Sequence, residues 1–361
     1  MQRLSDHLRV LIVRTGAMGD IIHALPAITA LREAHPGWYF GWVVEPRWRA
    51  LLCAESKPDD FGRSNLRMPL VDQIHRANTR RWSLEPLSGS TVDDVFRIRR
   101  ELKKFRYDVC VDLQGSIRSA VIGHWSRAPR LIGANAPRES AARFFYKERV
   151  PTYSEHVIDQ ALELAGAAAG EKLAHTQAYL PRDEYAESWC EQFLSREASC
   201  PIVLMNPGAG WGAKQWPAER FGEVAKSLAA MGYCVVVNTG PSEESLAKEV
   251  VRTSGRAAMT AECNVSQLIS LTRRATVMIA GDTGPLHLAC ALGKPVVGIF
   301  GPTDPARNGP YGSENRVLRS PLSKRDHSRK AAPEAGLLTI TPEAVLGATV
   351  ELLQNASRTS A

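Results

Sequence analysis

The 361-residue sequence contains no apolar run approaching the roughly 20 residues that a bilayer-spanning helix needs, so no membrane-spanning role is expected. The opening "MQRLSDHLRVLIVRTG" does not read as a secretory signal either, because its apolar run is short and bounded by Arg9 and Arg14. Seven cysteines occur (53, 110, 190, 200, 234, 263 and 290), never as C-x-x-C. Cys110 and Cys234 fall inside strand-like apolar runs and read as buried free thiols, which points to a reducing cytoplasm.

Three nucleotide motifs are missing as well. After the first apolar run the chain reads Gly16-Ala17-Met18-Gly19-Asp20, lacking the third glycine and the spacing of G-x-G-x-x-G. "GAGWGAKQ" has the lysine of a P-loop, but Ala213 and Gln215 stand where a glycine and a hydroxyl residue are required. No D-x-D and no His/Cys cluster is present, so no obligatory metal and no cofactor is expected. Nor is there a strong excess of one charge. The 45 basic against 38 acidic residues give +7, which suits an anionic substrate or a membrane surface and gives no reason to expect a nucleic-acid partner.

What is present is the composition of a globular protein, 44% hydrophobic and 23% charged, and a length that suggests two domains of about 150 residues. Short apolar runs alternate with helical patterns, the signature of α/β architecture with parallel sheets. In the first half strands are expected at 9–14, 38–44 and 108–113, with helices at 20–34, 91–105 and 116–125. A second series gives strands at 201–208, 233–240, 276–284 and 294–301, with helices near 217–230, 243–252 and 285–292. The stretch 313–338, rich in Arg, Lys, Ser and Pro, reads as surface loop, and Thr341-Pro342 opens a final helix over about 342–355. The expected domains are therefore 1–178 and 179–361, two Rossmann-like halves facing across a cleft, with the final helix packing back on the first. Ligands should bind at the carboxyl ends of the strands.

"RTGAMGDIIHALPAITAL" is a strand exit, two glycines and an amphipathic helix, the usual arrangement of a phosphate cradle, yet Asp20 puts a carboxylate where a phosphate would sit. The densest signal lies elsewhere, in "AGDTGPLHLACALGKPVVGIFGPTDP". There Asp282, Thr283 and Gly284 stand at a strand exit, where backbone N–H groups and the Thr283 hydroxyl can hold a diphosphate, with His287 one turn on. The alternative is an ordinary helix cap. Lys214, after three glycines in "NPGAGWGAKQW", either neutralises a phosphate or is simply solvated. Glu243 in "NTGPSEES" either accepts ribose hydroxyls or begins a helix. Arg80, Arg81, Arg118, Arg138 and Arg143 in the first half can grip carboxylates or phosphates, or do nothing beyond solvation.

Taken together, "RTGAMGDIIHALPAI", the "RRW" of 80–82, "VDLQGSIRSA", "LMNPGAGWGAKQWP" and the 281–305 stretch resemble the lipopolysaccharide heptosyltransferases, over about residues 8–312 and in the same order. They are nearest to the members that add the first heptose to the inner core. The resemblance implies a GT-B fold, an ADP-L-glycero-β-D-manno-heptose donor, a Kdo sugar on lipid A as acceptor, and inverting transfer without a metal. It also implies a monomer at the cytoplasmic face of the inner membrane. Residue by residue, it makes Asp20 the catalytic base and Lys214 the donor-phosphate lysine. Asp282, Thr283, Gly284 and His287 become the donor loop and Glu243 the ribose acid; Gly19, Arg80, Arg81, Gln114, Arg118 and Arg138 fall on the acceptor side. The readings left standing beside it are a transferase with another acceptor, a sugar-nucleotide epimerase and a silent nucleotide-sugar-binding protein.

Overall fold

The computed structural model describes residues 7–195, 200–240, 243–326, 328 and 330–359. The chain forms two compact units, Met1–Asp183 and Glu184–Ala361. The first holds β1 (Arg9–Val13), β2 (Tyr39–Val44), β3 (Gln73–Arg76), β4 (Val109–Asp112), β5 (Arg130–Ala134) and β6 (Glu148–Val150). Its helices are α1 (Met18–Ala34), α2 (Thr79–Leu84), α3 (Gly89–Phe105), α4 (Ile117–Trp125) and α5 (Val157–Ala169). The second holds β7 (Ile202–Asn206), β8 (Cys234–Thr239), β9 (Ala258–Glu262), β10 (Val277–Gly281), β11 (Val296–Phe300) and β12 (Asn315–Arg319). Its helices are α6 (Glu184–Leu194), α7 (Ala218–Ala230), α8 (Glu244–Thr253), α9 (Val265–Arg274), α10 (Gly284–Ala291), α11 (Pro305–Asn308) and α12 (Pro342–Thr359).

Every strand pairing is parallel, and the two sheets share one topology. The first runs β3-β2-β1-β4-β5-β6 and the second β12-β11-β10-β7-β8-β9, so each is the doubly wound order 3-2-1-4-5-6 counted within its own unit. Helices cover both faces, which is why the central strands are uninterrupted apolar runs such as "VLIV" in β1 and "VMIA" in β10, all fully buried. Strand order reverses between β1 and β4 and again between β7 and β10. The loops leaving those four strands are where a ligand crevice forms.

Several expectations need correction. Helix α1 is not amphipathic: Ile21, Leu25, Ile28 and Leu31 are fully buried, and so are Ala27 and Thr29 between them. The reason is α5, which packs along α1 and itself lies against β4, β5 and β6. The segment 313–338 is not all loop, because β12 adds to the edge of the second sheet beside β11. The rest of it straps the loop after β7: Ala213 N–H donates to Lys330 O at 3.0 Å and Glu334 N–H to Ala213 O at 3.2 Å. The apolar face of the final helix, which the sequence sent towards the first domain, enters the core of the second, through Val345, Leu352 and Leu353. Cys110 is free and buried, but Cys234 is bonded to Cys200, Cα to Cα 5.7 Å. Parallel pairing of β7 with β8 sets Cys234 opposite Ile202, within reach of the residue two positions earlier. The cysteines therefore no longer argue for a reducing compartment. Among the described residues no helix is long and apolar enough to cross a membrane.

Candidate functional site

In the first unit the reversal point is tied together by one backbone and one side-chain hydrogen bond. Leu113 N–H donates to Val13 O at 3.1 Å, and Thr15 N–H to Gln114 Oε1 at 3.1 Å, so the loops after β1 and β4 lie side by side. Asp20 is held from two directions. Ala17 N–H donates to its Oδ2 at 3.0 Å, closing the start of α1, and the Arg14 guanidinium pairs with its Oδ1 at 3.0 Å. Arg14 is itself fixed by Leu113 O and, at 3.0 Å, by Asp20 O. The Asp20 side chain remains 38% exposed, so the carboxylate is still open to a further hydrogen-bond donor.

The other acceptor-side candidates gather at the same carboxyl edge. Gly115 has φ +67°, and a Cβ there would sit 3.0 Å from Arg138 N, so only glycine lets the 137–139 loop close on β4. Glu139 N–H then donates to Gly115 O at 2.9 Å, which places exposed Arg138 beside Gln114. Arg118 is engaged rather than loose: it donates to Thr79 O at 2.9 Å and Ser83 Oγ at 2.6 Å, propping α2. Arg81 donates to Ser90 O at 3.1 Å and lies 3.9 Å from Asp94, while Arg80 is exposed. Gly19 is the second residue of α1, one before Asp20.

Beneath this edge lies Asp112, which the motifs did not single out. It accepts from Gln114 N–H (2.9 Å), Gly115 N–H (3.1 Å), Ser119 Oγ (2.9 Å) and Tyr146 Oη (2.8 Å). Burial pushes its carboxyl above the usual range despite those four donors, and pushes the Tyr146 phenol up as well. Its work is to shape the β4 turn.

In the second unit Lys214, Asp282 and His287 form one cluster at the β7/β10 reversal. The Lys214 ammonium pairs with Asp282 Oδ2, lies 3.3 Å from Asp282 O, and sits 4.2 Å from the centre of the Trp211 ring. His287 Nε2 reaches Asp282 Oδ1 at 3.1 Å. Burial alone would raise the Asp282 carboxyl, but the hydrogen bond and charge of His287 and the charge of Lys214 outweigh it and hold the group well below the usual carboxylate range. Asp282 therefore does not cap α10. Thr283 holds the cap position, its hydroxyl donates to Gly281 O at 3.2 Å, and no side chain caps the helix. The first amides of α10, starting with Gly284, are thus left for an anion, with a lysine bearing a third N–H nearby.

Glu243 sits between two glycines. Its Oε2 accepts from Gly240 N–H at 2.9 Å, and a Cβ on Gly208 would lie 2.2 Å from that oxygen. One carboxylate oxygen thus orders the β8 exit, and the other is available to hydroxyl donors. Among the described residues no group of three or more His, Cys, Asp or Glu is placed to hold a metal ion. Sequence reasoning passed over Arg14 and Trp211, although both stand inside the quoted motifs, six residues before Asp20 and three before Lys214.

Residues 95–337 match the family model for glycosyltransferase family 9 (heptosyltransferase), two thirds of the chain. The chain belongs to that family. Among curated relatives, lipopolysaccharide heptosyltransferase 1 of Pseudomonas aeruginosa is 28% identical over 317 residues, spanning 87% of this chain and 84% of the relative. Among solved structures, E. coli heptosyltransferase WaaC with ADP superposes with a TM-score of 0.76 at 26% identity, covering 96% of this chain and 100% of that one. The same enzyme with ADP-2-deoxy-2-fluoro heptose gives 0.74 at 26% identity, covering 95% and 99%. The α/β architecture of two six-stranded parallel sheets is that of these heptosyltransferases, and the chain is a glycosyltransferase of their family.

Proposed function

We propose that the chain transfers heptose from ADP-L-glycero-β-D-manno-heptose to a Kdo sugar of the lipid A inner core, with inversion and without a metal ion. The observation that carries this reading is the Lys214–Asp282–His287 cluster beside the uncapped start of α10, inside the stretch the family model matches. That the E. coli family member is solved with ADP and a fluorinated ADP-heptose supports the choice of donor.

The acceptor hydroxyl gives its proton to the Asp20 carboxylate as its oxygen attacks the anomeric carbon. The bond from that carbon to the diphosphate oxygen breaks, and ADP leaves on the opposite face. One carboxylate suffices, because no covalent intermediate is formed, and such a base contributes about 10²–10⁴-fold. Arg14 keeps the Asp20 carboxylate aimed through their ion pair. Lys214 and the α10 amides meet the charge growing on the diphosphate, the part a metal plays in other transferases. Asp282 is not a competitor for that role, since it fixes the ammonium in place through one oxygen and one carbonyl. Glu243 takes the ribose hydroxyls, and Gly19, Arg80, Arg81, Gln114, Arg118 and Arg138 frame an anionic acceptor. A lipid-borne acceptor puts the chain to work as a monomer on the cytoplasmic face of the inner membrane.

The test is mass spectrometry of products from ADP-heptose with a panel of Kdo-containing and Kdo-free acceptors, with the anomeric configuration of the new linkage read by NMR. A mass gain of one heptose confined to Kdo acceptors, with β-ADP-heptose giving an α-linked product, is expected. Transfer only to a Kdo-free acceptor, or loss of donor without any acceptor, would refute the substrate assignment.

A further inference from the structure

The carboxyl edge of the first sheet carries the acceptor-side candidates, but the opposite edge also carries unexplained charge. At the amino ends of β4, β5 and β6 a cavity of about 300 Å³ opens. Arg99 and Lys103 face it from adjacent turns of α3, His124 and Trp125 from the end of α4, Arg127 from the turn that follows, and Lys147 from just before β6. Among the described residues none of Arg99, Lys103, Arg127 and Lys147 makes an ion pair; Lys147 donates to Ala128 O at 2.9 Å. The acids next to them in sequence are engaged elsewhere, Glu101 by His75 and Arg97, and Glu148 by Arg130.

Four exposed cations around one concavity, none of them paired with an acid, give it a positive potential that attracts an anion. Cations also complement helix C-termini, which would account for Lys103 or His124 alone. Arg127 is harder to dismiss. Its φ of +57° is a conformation that glycine adopts freely and a side chain adopts at a cost. Arg106 and Arg256 share that region, but of the three only Arg127 lines this cavity. Keeping a strained arginine there makes sense if its charge is used.

We propose that this cavity binds a phosphate group, at a site separate from the donor site of the second unit. The shared chemistry is a phosphate ester with an apolar body: the cations take the oxygens, and half-buried Trp125 with the apolar floor takes the carbon skeleton. The phosphate can come from a soluble ester or from the headgroup of an anionic phospholipid. The α3 stripe that carries Arg99 and Lys103 continues into exposed Val92 and Phe96, as a lipid surface would require.

The full chain, first saturated with ADP so that the second unit is filled, is titrated calorimetrically with pyrophosphate. In parallel it is sedimented with vesicles of phosphatidylglycerol or of phosphatidylcholine. The variants are Arg127→Gly, which relieves the backbone while removing a charge, and the pair Arg99→Gln with Lys103→Gln. At least one probe, pyrophosphate or phosphatidylglycerol, should bind, and each variant should weaken it roughly fivefold to tenfold. The melting temperature of Arg127→Gly should be equal or higher. Binding of pyrophosphate alone identifies a soluble ester, and binding of phosphatidylglycerol alone a lipid headgroup. Binding of neither, equal binding of phosphatidylcholine, or affinity indifferent to both variants overturns the proposal.

Discussion

Replacing Asp282 by Asn removes the carboxylate that keeps Lys214 in place, and its cost can be worked from the cluster. The two side chains are 7% and 11% exposed, so the pair is shielded from solvent. Deleting one partner of such a pair costs about 3–5 kcal/mol, because the remaining charge stays buried without its counter-charge. Lys214 retains the Asp282 carbonyl at 3.3 Å and the Trp211 face at 4.2 Å, and asparagine still offers one oxygen. These place the expected loss at the low end, about 3 kcal/mol at pH 7. Adding Lys214→Met should recover much of it, giving a coupling of about 2 kcal/mol between the two sites. The pH dependence has a definite sign. The folded Asp282 carboxyl lies below its unfolded value of about 3.9, so its stabilisation is complete above that pH and fades as pH falls through the folded value. The gap between wild type and Asp282→Asn should therefore narrow below about pH 4. Urea unfolding followed by circular dichroism from pH 7 to pH 3 measures it, with attention to the transition of the second unit. A loss under about 1 kcal/mol at pH 7, strict additivity of the two substitutions, or a gap that does not change with pH would refute the reasoning.

Two glycines give further tests. Gly208→Ala places a methyl 2.2 Å from Glu243 Oε2, so the carboxylate must swing away; the donor KM should rise several-fold with the melting temperature little changed, and an unaltered KM would remove Glu243 from the donor site. Gly133→Ala drives a methyl into the Tyr146 ring, 2.3 Å from its Cε2, and breaks the Tyr146–Asp112 hydrogen bond. Overpacking of this kind costs about 1–3 kcal/mol, so chemical unfolding should show a clear loss, and none would mean the core there is slack.

The interior of both sheets was legible because burial on two faces demands unbroken apolar runs, and β1, β2, β4, β7, β8, β10 and β11 all have them. Four of the five strands that escaped notice, β3 ("QIHR"), β6 ("ERV"), β9 ("AMTAE") and β12 ("NRVLR"), are the sheet edges. An edge has one neighbour and tolerates charge, so its residues carry no such pattern. The fifth, β5, is a short interior strand whose Gly133 makes room for Tyr146.

Asp20 and Lys214 were legible for a related reason, since glycine-bearing loops that follow apolar strands mark the carboxyl edge. Their partners were not. That Arg14 turns back onto Asp20, and that Asp282 is committed to Lys214 and His287 rather than to capping α10, depends on side-chain direction. The bond between Cys200 and Cys234 depends on the pairing of β7 with β8 across 34 residues. The opening puzzle of a carboxylate in a phosphate-like cradle resolves in the same terms. Asp20 closes its own helix with one oxygen and pairs with Arg14 through the other, whereas the start of α10 in the second unit carries no side-chain cap.

The measurement that bears most directly on the account compares Asp20→Asn with wild type in two assays, ADP binding by calorimetry and heptose transfer at saturating donor. Asparagine keeps an oxygen for the Ala17 amide, so the fold of α1 should survive. ADP affinity should stay within about twofold while transfer falls by about 10²–10⁴-fold. Transfer within tenfold of wild type, or ADP binding lost in parallel with transfer, would contradict the assignment of Asp20 as the base that serves the acceptor.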